Sequence, residues 1–289
     1  MNAKVSELLK LLEGRLATIN RKELMSLLKA KSKHHRNYSF NNMILAGLQL
    51  CRRHGVEFSH EMFSNLWLAP FPIWQRWGYR IMQGERALGV LVPFMVKNKK
   101  KAAAVTSEHG NVEKRIIGFG VKPVFDISQT ERATANDDAL HRRISKAVAN
   151  ISYDDLINRI EAAGLRVVSR PLREGEGGHI SENVITLNSN NSIEARCCTL
   201  LHELAHHCLG HTVAGNTQER SVEELEAEAT AFVVGNQVGI DIPSEFYIAA
   251  WGGDGSKIRK SLSHIERAVE KVWYIIGLVA SSAERSKAA

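Results

Sequence analysis

The feature that most constrains the fold is HELAH at residues 202–206, an HExxH motif inside the apolar run 199–209. Residues four positions apart share one face of an α-helix, so both histidines can reach one divalent metal ion while the glutamate reaches an attacking water. This layout is typical of zinc-dependent hydrolases. We therefore predict His202 and His206 as metal ligands, Glu203 as the catalytic base, and Zn²⁺ or another divalent metal ion as the cofactor.

The motif supplies two ligands, whereas a catalytic zinc site needs a third and an open position for water. His211 lies five residues after His206. The metzincin pattern requires a glycine three residues and a histidine six residues after the second histidine. Leu209 and Thr212 stand at those positions, so the metzincin pattern is excluded.

A better candidate lies downstream, where Glu224 and Glu228 share a helical face with the small residues Ala227 and Ala231. Small residues permit close packing against the HExxH helix. We predict Glu224 as the third ligand and Glu228 as the acceptor for the free ring N–H of a ligating histidine. The spacing also allows the two glutamates to exchange roles.

Each supporting residue has an alternative interpretation. Glu224 also completes the capping box that begins at Ser221. Cys198 lies one turn before His202, a position from which it could be a metal ligand, although a buried thiol is the commoner role for such a cysteine. His207 points about 100° away from His206 and is typical of a surface or supporting residue. We expect the side chains of Glu223 and Glu226 to be solvated.

The predicted chemistry is peptide-bond hydrolysis, in which Glu203 takes the proton from water and passes it to the leaving amine. A strand over residues 179–187 would lie along the cleft and pair with an extended substrate.

The chain has 289 residues and 44% apolar residues, enough for about two domains. It has no apolar run of about eighteen residues, and charges are spread through residues 1–16, so we expect no membrane span, no signal peptide and a cytoplasmic location. The four cysteines lack CxxC spacing, which favours reduced, mostly buried thiols.

Charge is distributed unevenly. Residues 1–130 hold 21 Lys and Arg against 9 Asp and Glu, a net charge of +12; the remaining residues hold 17 against 22, a net charge of −5. A basic segment of domain size favours a polyanionic partner, although a solvated basic surface is the alternative. The predicted partners are therefore a polyanion for the basic half and a possible protein substrate for the HExxH half.

Aromatic and basic residues alternate in the basic half, as suits single-stranded nucleic acid. Most of the rings are nonetheless expected to be core. The predicted DNA-binding residues are Arg76, Arg80, Arg86, Lys97, Lys99, Lys100, Lys101, Trp74 and Trp77.

The residue patterns predict an α+β protein of two domains. Residues 1–130 combine helices with a sheet in which runs 76–83 and 87–96 form a hairpin and run 114–125 pairs with them across the lysine-rich loop. Residues 131–148 have linker composition. Residues 149–289 hold helix 153–163, strands 165–169 and 183–188, the HExxH helix between Asn191 or Ser192 and Gly210, helix 219–236 and helix 257–281.

Several segments resemble the ArdC family of antirestriction proteins carried by mobile elements. In the first half they are residues 38–49 (YSFNNMILAGLQ), 74–87 (WQRWGYRIMQGERA) with Pro93, and 125–130 (FDISQT). In the second half they are 202–207 (HELAHH), 224–228 (ELEAE), 231–234 (AFVV) and 251–254 (WGGD). The resemblance implies an N-terminal single-stranded DNA-binding domain and a zincin-like metallopeptidase domain related to ImmA/IrrE-type peptidases. In such peptidases the first Glu of a downstream ExxxD or ExxxN pair is a ligand; here Glu228 stands at the Asp or Asn position.

By this resemblance the protein would be an antirestriction protein of a plasmid or phage that binds single-stranded DNA non-specifically and carries a zinc peptidase domain. One alternative is a regulatory endopeptidase that cleaves a repressor or a restriction subunit, with DNA only localising it. The other is a metal site that is purely structural.

Overall fold

The computed structural model describes residues 3–33, 38–97, 114–133, 150–213, 216–243 and 255–278. Helices and strands occur in separate groups along the chain, which confirms the α+β class. Two compact units are present. The first comprises Met1–Arg15, Asn41–Phe58 and Leu66–Asp137, and the second comprises Leu16–Phe40, Ser59–Asn65 and Asp138–Ala289. The division at residue 130 with a linker over 131–148 stays a prediction, since most of that linker lies outside the described residues.

The described helices are α1 (Ala3–Leu16), α2 (Arg21–Lys33), α3 (Phe40–His54), α4 (His60–Asn65), α5 (Phe71–Arg76), α6 (Tyr153–Ala162), α7 (Ile193–Leu209), α8 (Arg220–Val238) and α9 (Gly255–Ile275). The described strands are β1 (Leu68–Ala69), β2 (Tyr79–Ile81), β3 (Leu88–Lys97), β4 (Lys114–Asp126), β5 (Thr130–Arg132), β6 (Arg166–Arg170), β7 (Gly178–Ser181) and β8 (Val184–Asn188).

A long antiparallel pair, β3 and β4, forms the centre of the first unit. Leu88 lies opposite Val124 at the buried end, and Lys97 lies opposite Lys114 at the other. The predicted pairing of runs 87–96 and 114–125 across the lysine-rich loop is therefore confirmed, whereas run 76–83 does not pair with β4. Strand β1 adds to the far side of β4, so the order is β1-β4-β3 and β3 is an edge strand.

The predicted hairpin between runs 76–83 and 87–96 is wrong. Strand β2 pairs antiparallel with β5 instead, with Tyr79 opposite Arg132. Residues 71–76 form helix α5, because Pro72 in its first turn suits a helix start and Trp74 is buried from that helix. The hydrogen bond from Trp74 Nε1 to the carbonyl oxygen of Phe125, 3.0 Å long, ties α5 to the end of β4.

Side-chain amides from α3 satisfy part of the open edge of β3. Asn42 exchanges two hydrogen bonds of 2.8 Å with the backbone of Leu91, and Gln49 does the same with Gly89 at 2.8 and 3.0 Å. Pro93 follows on the same edge and has no N–H to expose. Because unpaired edge groups invite non-native pairing, these residues also protect the sheet.

A buried hydrogen-bond network is formed by the segment FDISQT at the end of β4. Asp126 accepts hydrogen bonds from the backbone N–H groups of Trp67 and Ser128, and it forms a capping box with Gln129. Burial raises the pKa of Asp126, against the lowering effect of these hydrogen bonds. The fully buried amide of Gln129 then donates to Glu85 and to the carbonyl oxygen of Arg86.

The second unit contains a three-stranded sheet in the order β6-β8-β7, with β6 parallel and β7 antiparallel to β8. The predicted helix at 153–163 and strands at 165–169 and 183–188 are confirmed as α6, β6 and β8 within one or two residues. Residues 179–187 are not one strand, because Glu182 adopts a left-handed φ of +52° and turns β7 back into β8. Within the described residues, β8 is the one strand paired with β7, which is therefore an edge strand.

Helix α8 is buried along most of its length because α7, α9 and α2 all pack against it. Helix α7 begins at Ser192, whose side chain accepts from the N–H of Ala195, and it ends at Gly210 in the left-handed conformation. Both ends match the sequence prediction. None of the described helices combines the length and apolar character needed to cross a bilayer.

Candidate metal centre and candidate nucleic-acid interface

The HExxH motif lies on α7, where its two histidines face one point. The Nε2 atoms of His202 and His206 are 3.0 Å apart, as expected for residues one turn apart on one face. Glu203 lies one step round the helix and is 8% exposed. The backbone N–H of Ile180 on β7 hydrogen bonds to the Glu203 carboxylate, so the edge strand and the motif meet.

Close packing at Gly178 brings β7 against α7. A β-carbon at this position would lie 2.5 Å from the Thr186 carbonyl oxygen and 2.8 Å from the Thr199 methyl group. Only glycine fits so close an approach. The edge strand can therefore line the cavity beside the motif.

Glu224 reaches the two histidines from the first turns of α8. Its Oε2 atom lies 3.3 Å from His202 Nε2 and 3.5 Å from His206 Nε2. The alternative capping box does not form, because the helix already begins at Arg220 and the preceding Glu219 makes no side-chain cap. The structure thus brings together the three side chains predicted as ligands.

Glu228 lies one turn further along α8 and faces the other ring nitrogen of His202. Its Oε2 atom is 3.2 Å from His202 Nδ1. The two glutamates are therefore not equivalent, since Glu224 faces both Nε2 atoms and Glu228 faces one Nδ1 atom. This geometry favours the predicted division of roles over its exchange.

The electrostatics of the centre reflect this convergence of charges. Burial lowers the pKa of His202, but hydrogen bonds to Glu224 and Glu228 and the charge of Glu203 raise it overall to about 9. Hydrogen bonds from His202 and His206 hold the pKa of Glu224 far below its usual range. Burial raises the pKa of Glu203, against the charges of both histidines. A carboxylate with a raised pKa is suited to proton transfer near neutral pH.

The donor set fits a divalent metal ion. Two imidazole nitrogens and one carboxylate oxygen are a known ligand set of catalytic zinc sites. Ligand atoms about 2.1 Å from a tetrahedral centre lie about 3.4 Å apart, and the three separations here are 3.0, 3.3 and 3.5 Å. His202, His206 and Glu224 are the group of ligand-type side chains that converges in this way among the described residues.

A cavity of about 910 Å³ opens over these three side chains. Residues 177–182, which include β7, form one wall, and the first turns of α8 form another. Arg220 lines the cavity and lies 3.5 Å from the Oε1 atom of Glu224. Cys198 also lines it, but its thiol lies 3.5 Å from the carbonyl oxygen of Asp241 and is not in the ligand group.

One residue near the centre differs from the sequence expectation, and a second has no predicted role. The carboxylate of Glu226 is not solvated, since its side chain is 1% exposed and lies 3.5 Å from His211 and 3.3 Å from His264. His211 fails the metzincin spacing, yet its Nδ1 atom lies 2.9 Å from Nδ1 of His206. The position of His211 could have been predicted from Gly210. A left-handed glycine after a helix turns the next residue back onto the last helical turn, where His206 lies.

The predicted DNA-binding residues in the first unit fall into three groups. Arg76, Arg80 and Arg86 are exposed, and Arg80 pairs with Glu131 at 2.8 Å. Trp77 is half-buried and packs edge-on against Trp74. Lys97 is the last residue of β3, and Lys99, Lys100 and Lys101 lie outside the described residues.

The prediction for Trp74 is wrong, because its ring is 0% exposed and offers no face to a base. Two exposed aromatics of this unit lie on the strand pair. Phe94 on β3 is 56% exposed and Phe119 on β4 is 41% exposed, and the strand partner of Phe119 is Pro93. The residue pattern does not single out these two phenylalanines, because alternation along a strand does not show which face is covered.

Comparisons with known proteins agree with this architecture. Residues 160–264 match the family Peptidase_M78, described as the IrrE N-terminal-like domain. An uncharacterized protein of Bacillus anthracis is 25% identical over 270 residues, which cover 81% of this chain and 44% of that protein. The chain thus spans less than half the length of this curated relative.

Two solved structures of one protein are similar. The metal-free crystal structure of the antirestriction ArdC protein from R388 plasmid has a TM-score of 0.50 at 14% identity, covering 84% of this chain and 87% of that chain. For its Mn(II)-bound structure the TM-score is 0.49 at 15% identity, with 83% and 85% covered. The chain therefore has a two-domain, ArdC-like fold, and its residues 160–264 are similar to the IrrE N-terminal-like domain.

Proposed function

We propose that the second unit is a zinc-dependent peptidase with His202, His206 and Glu224 as metal ligands and Glu203 as the catalytic base. The observation that carries this proposal is the triangle of donor atoms, with sides of 3.0, 3.3 and 3.5 Å, beside a buried carboxylate at the floor of a large cavity. The match of residues 160–264 to a peptidase family supports the reaction class.

A divalent metal ion held there would polarise the scissile carbonyl and acidify the attacking water. The protein's own part is positioning and proton transfer. Glu203 accepts a proton from the attacking water and delivers it to the leaving nitrogen, for which its raised pKa is suited. The N–H of Ile180 holds the Glu203 carboxylate in place from β7.

The substrate class suggested by the cavity is an extended peptide. Strand β7 is an edge strand and lines the cavity next to Glu203, so a peptide can add to the sheet by backbone hydrogen bonding. Specificity would then come from side-chain pockets on either side of the edge rather than from the backbone contacts.

The test compares Glu203→Gln with wild type for cleavage of a mixed peptide library at saturating zinc. Removing a general base costs about 10² to 10⁴ in rate, so we expect a loss of at least 100-fold with metal content unchanged. Glu182→Gln is the matched control, because Glu182 lines the same cavity at the β7 turn without contacting the donor triangle. Equal cleavage by wild type and Glu203→Gln would overturn the proposal.

We also propose that the first unit binds single-stranded DNA without sequence preference and that the chain has an antirestriction role. The specific observation is that the first unit holds 16 Lys and Arg against 9 Asp and Glu, a net charge of +7, combined with exposed Arg76 and Arg86 and exposed rings at Phe94 and Phe119. Exposed rings stack on bases, and arginines contact phosphates. Likeness in fold to the ArdC antirestriction protein supports the antirestriction role.

The DNA proposal is tested with a labelled oligonucleotide and the full chain. Three phosphate contacts predict a salt slope of about −2, which is a loss of roughly 20-fold in affinity between 50 and 200 mM salt. Affinity independent of salt would overturn it. A restriction-protection assay with Glu203→Gln then separates two outcomes: intact protection assigns the role to DNA binding, and lost protection favours a regulatory endopeptidase that cleaves a repressor or a restriction subunit.

A further inference from the structure

The second ring nitrogen of His206 has a defined neighbour. Its Nε2 atom is one corner of the donor triangle, and its Nδ1 atom lies 2.9 Å from Nδ1 of His211. The side chain of His211 is 5% exposed, so water does not compete freely for this contact.

The end of the HExxH helix holds His211 in this position. The N–H of His211 bonds to the carbonyl oxygen of His206 at 3.1 Å, and the N–H of Gly210 bonds to that of His207 at 3.1 Å. With Gly210 at φ +82°, these are the two hydrogen bonds of a Schellman motif. This motif characteristically brings the residue after the glycine onto the side chain four residues before the glycine, and here both residues are histidines.

The far side of His211 faces a buried carboxylate. Its Nε2 atom lies 3.5 Å from Oε2 of Glu226, an electrostatic contact that is long for a hydrogen bond. Glu226 is 1% exposed and comes from α8, the helix that carries Glu224 and Glu228. Gln218 and Ser261 also hydrogen bond to its carboxylate.

Proton positions along this chain of residues are self-consistent. A neutral histidine that ligates through Nε2 carries its proton on Nδ1. His206 Nδ1–H then donates to Nδ1 of His211, so the proton of neutral His211 lies on Nε2 and points toward Glu226. When His202 ligates through Nε2, its proton likewise lies on Nδ1. It is then donated directly to the Glu228 carboxylate, 3.2 Å away, with no second histidine between them.

We propose that His211 and Glu226 are positioning residues for His206, forming a histidine-extended counterpart of the direct contact between His202 and Glu228. The inference rests on the proposed metal site. Partners of this kind fix the tautomer and orientation of a ligating histidine, and their loss typically costs 10- to 100-fold in metal affinity.

The test measures zinc affinity by chelator competition and the visible spectrum of the Co²⁺-loaded protein in His211→Phe and Glu226→Gln. We expect 10- to 100-fold weaker zinc binding in both, together with a shifted Co²⁺ absorption band. His211→Asn keeps a short acceptor near His206 and should recover part of the affinity. His207→Phe is the matched control, a half-buried histidine on the same turn that faces away from the donor triangle.

Thermal unfolding of each metal-free variant distinguishes a general loss of folding from a loss at the site. If His211→Phe is destabilised, zinc affinity is compared between His211→Asn and His211→Phe at a temperature where both are folded. Tighter zinc binding by His211→Asn then supports the inference, and equal binding contradicts it. Zinc affinity and a Co²⁺ spectrum unchanged in His211→Phe and Glu226→Gln would overturn the inference. A separate result concerns the proposed metal site itself. That site would be overturned if wild type bound no zinc, or if a His202→Ala variant bound zinc as tightly as wild type.

Discussion

The Nδ1 atoms of His206 and His211 lie 2.9 Å apart because Gly210, between them, reverses the chain in a left-handed conformation. A helix cap and a ligand contact are thus made by the same three residues. Changes to the cap should therefore affect both folding and metal binding.

Gly210→Ala should lower the free energy of unfolding by about 1 kcal/mol and weaken zinc binding, since a β-carbon is disfavoured in the left-handed region. Gly164→Ala is the control. Gly164 also has a left-handed φ, +92°, and open space around it, but it ends α6 away from the donor triangle. Calorimetry and chelator competition measure the two effects. Equal zinc affinity in the two variants would contradict the coupling.

Glu224→Ala should abolish stoichiometric metal binding, because it removes one of three protein donors. Metal that binds only the folded state increases the free energy of unfolding, by about 2.7 kcal/mol when the free metal concentration is one hundred times the dissociation constant. The unfolding temperature rises as a result. We expect this zinc-dependent shift in wild type and in Glu223→Ala, its neighbour on α8, and not in Glu224→Ala. If Glu224→Ala fails to fold and wild type shows no assayable activity, the result would favour a structural metal site.

Thiol reactivity should be low in the native protein. Burial raises the pKa of all four cysteines, that of Cys208 to about 12. A raised pKa keeps the thiol protonated at pH 8, and reactivity rises only as the pH approaches that pKa. Cys51, Cys197 and Cys208 are buried, so Cys198 alone should react with a disulfide reagent before unfolding.

The measurement is a thiol count with and without denaturant. Cys198→Ser should remove the native-state reaction, and all four thiols of wild type should react in denaturant. Rapid reaction of several thiols in the native state would contradict the burial seen here.

Phe119→Ala should weaken binding of single-stranded DNA by about 1–3 kcal/mol if the ring stacks on a base. Phe71→Ala is a matched control, because Phe71 is 44% exposed in the same unit but lies on α5 rather than on the strand pair. Fluorescence anisotropy at fixed salt gives both affinities. Equal losses in the two variants would indicate a non-specific effect of removing a surface ring.

Trp74→Phe should reduce stability by about 1–3 kcal/mol, through the lost hydrogen bond to Phe125 and the smaller ring. DNA affinity of the folded variant should equal that of wild type, since the Trp74 ring is buried. Denaturant titration and anisotropy provide the two measurements. Weaker DNA binding without destabilisation would reinstate Trp74 as a DNA contact.

Much of the fold could be predicted because its signals are local. The face shared by His202 and His206 follows from helical periodicity, and the ends of α7 follow from Ser192 and Gly210. The spacing of Glu224 and Glu228 likewise predicted a shared face on the next helix. The structure places both beside the histidines, and their roles stay predictions.

Errors arose where the outcome depends on contacts between distant segments. Strand β2 pairs with β5, about fifty residues away, although its turn at Gly84 favours a local hairpin. Alternation along a strand shows that two faces differ but not which one is covered, so the exposure of Phe119 could not be predicted. The burial of Trp74 depends on how α5 packs against the end of β4, which is also a contact between distant segments.

Local sequence specifies the chemistry available to this protein, namely an HExxH face, a glutamate pair four residues apart and a basic half. Helical period and charge are properties of neighbouring residues, so no packing is needed to see them. How α7 and α8 meet depends on tertiary packing, which buries Glu226 behind His211 and leaves Glu224 facing the histidines. Burial and donor geometry are set by which elements pack together, and local sequence does not encode that choice.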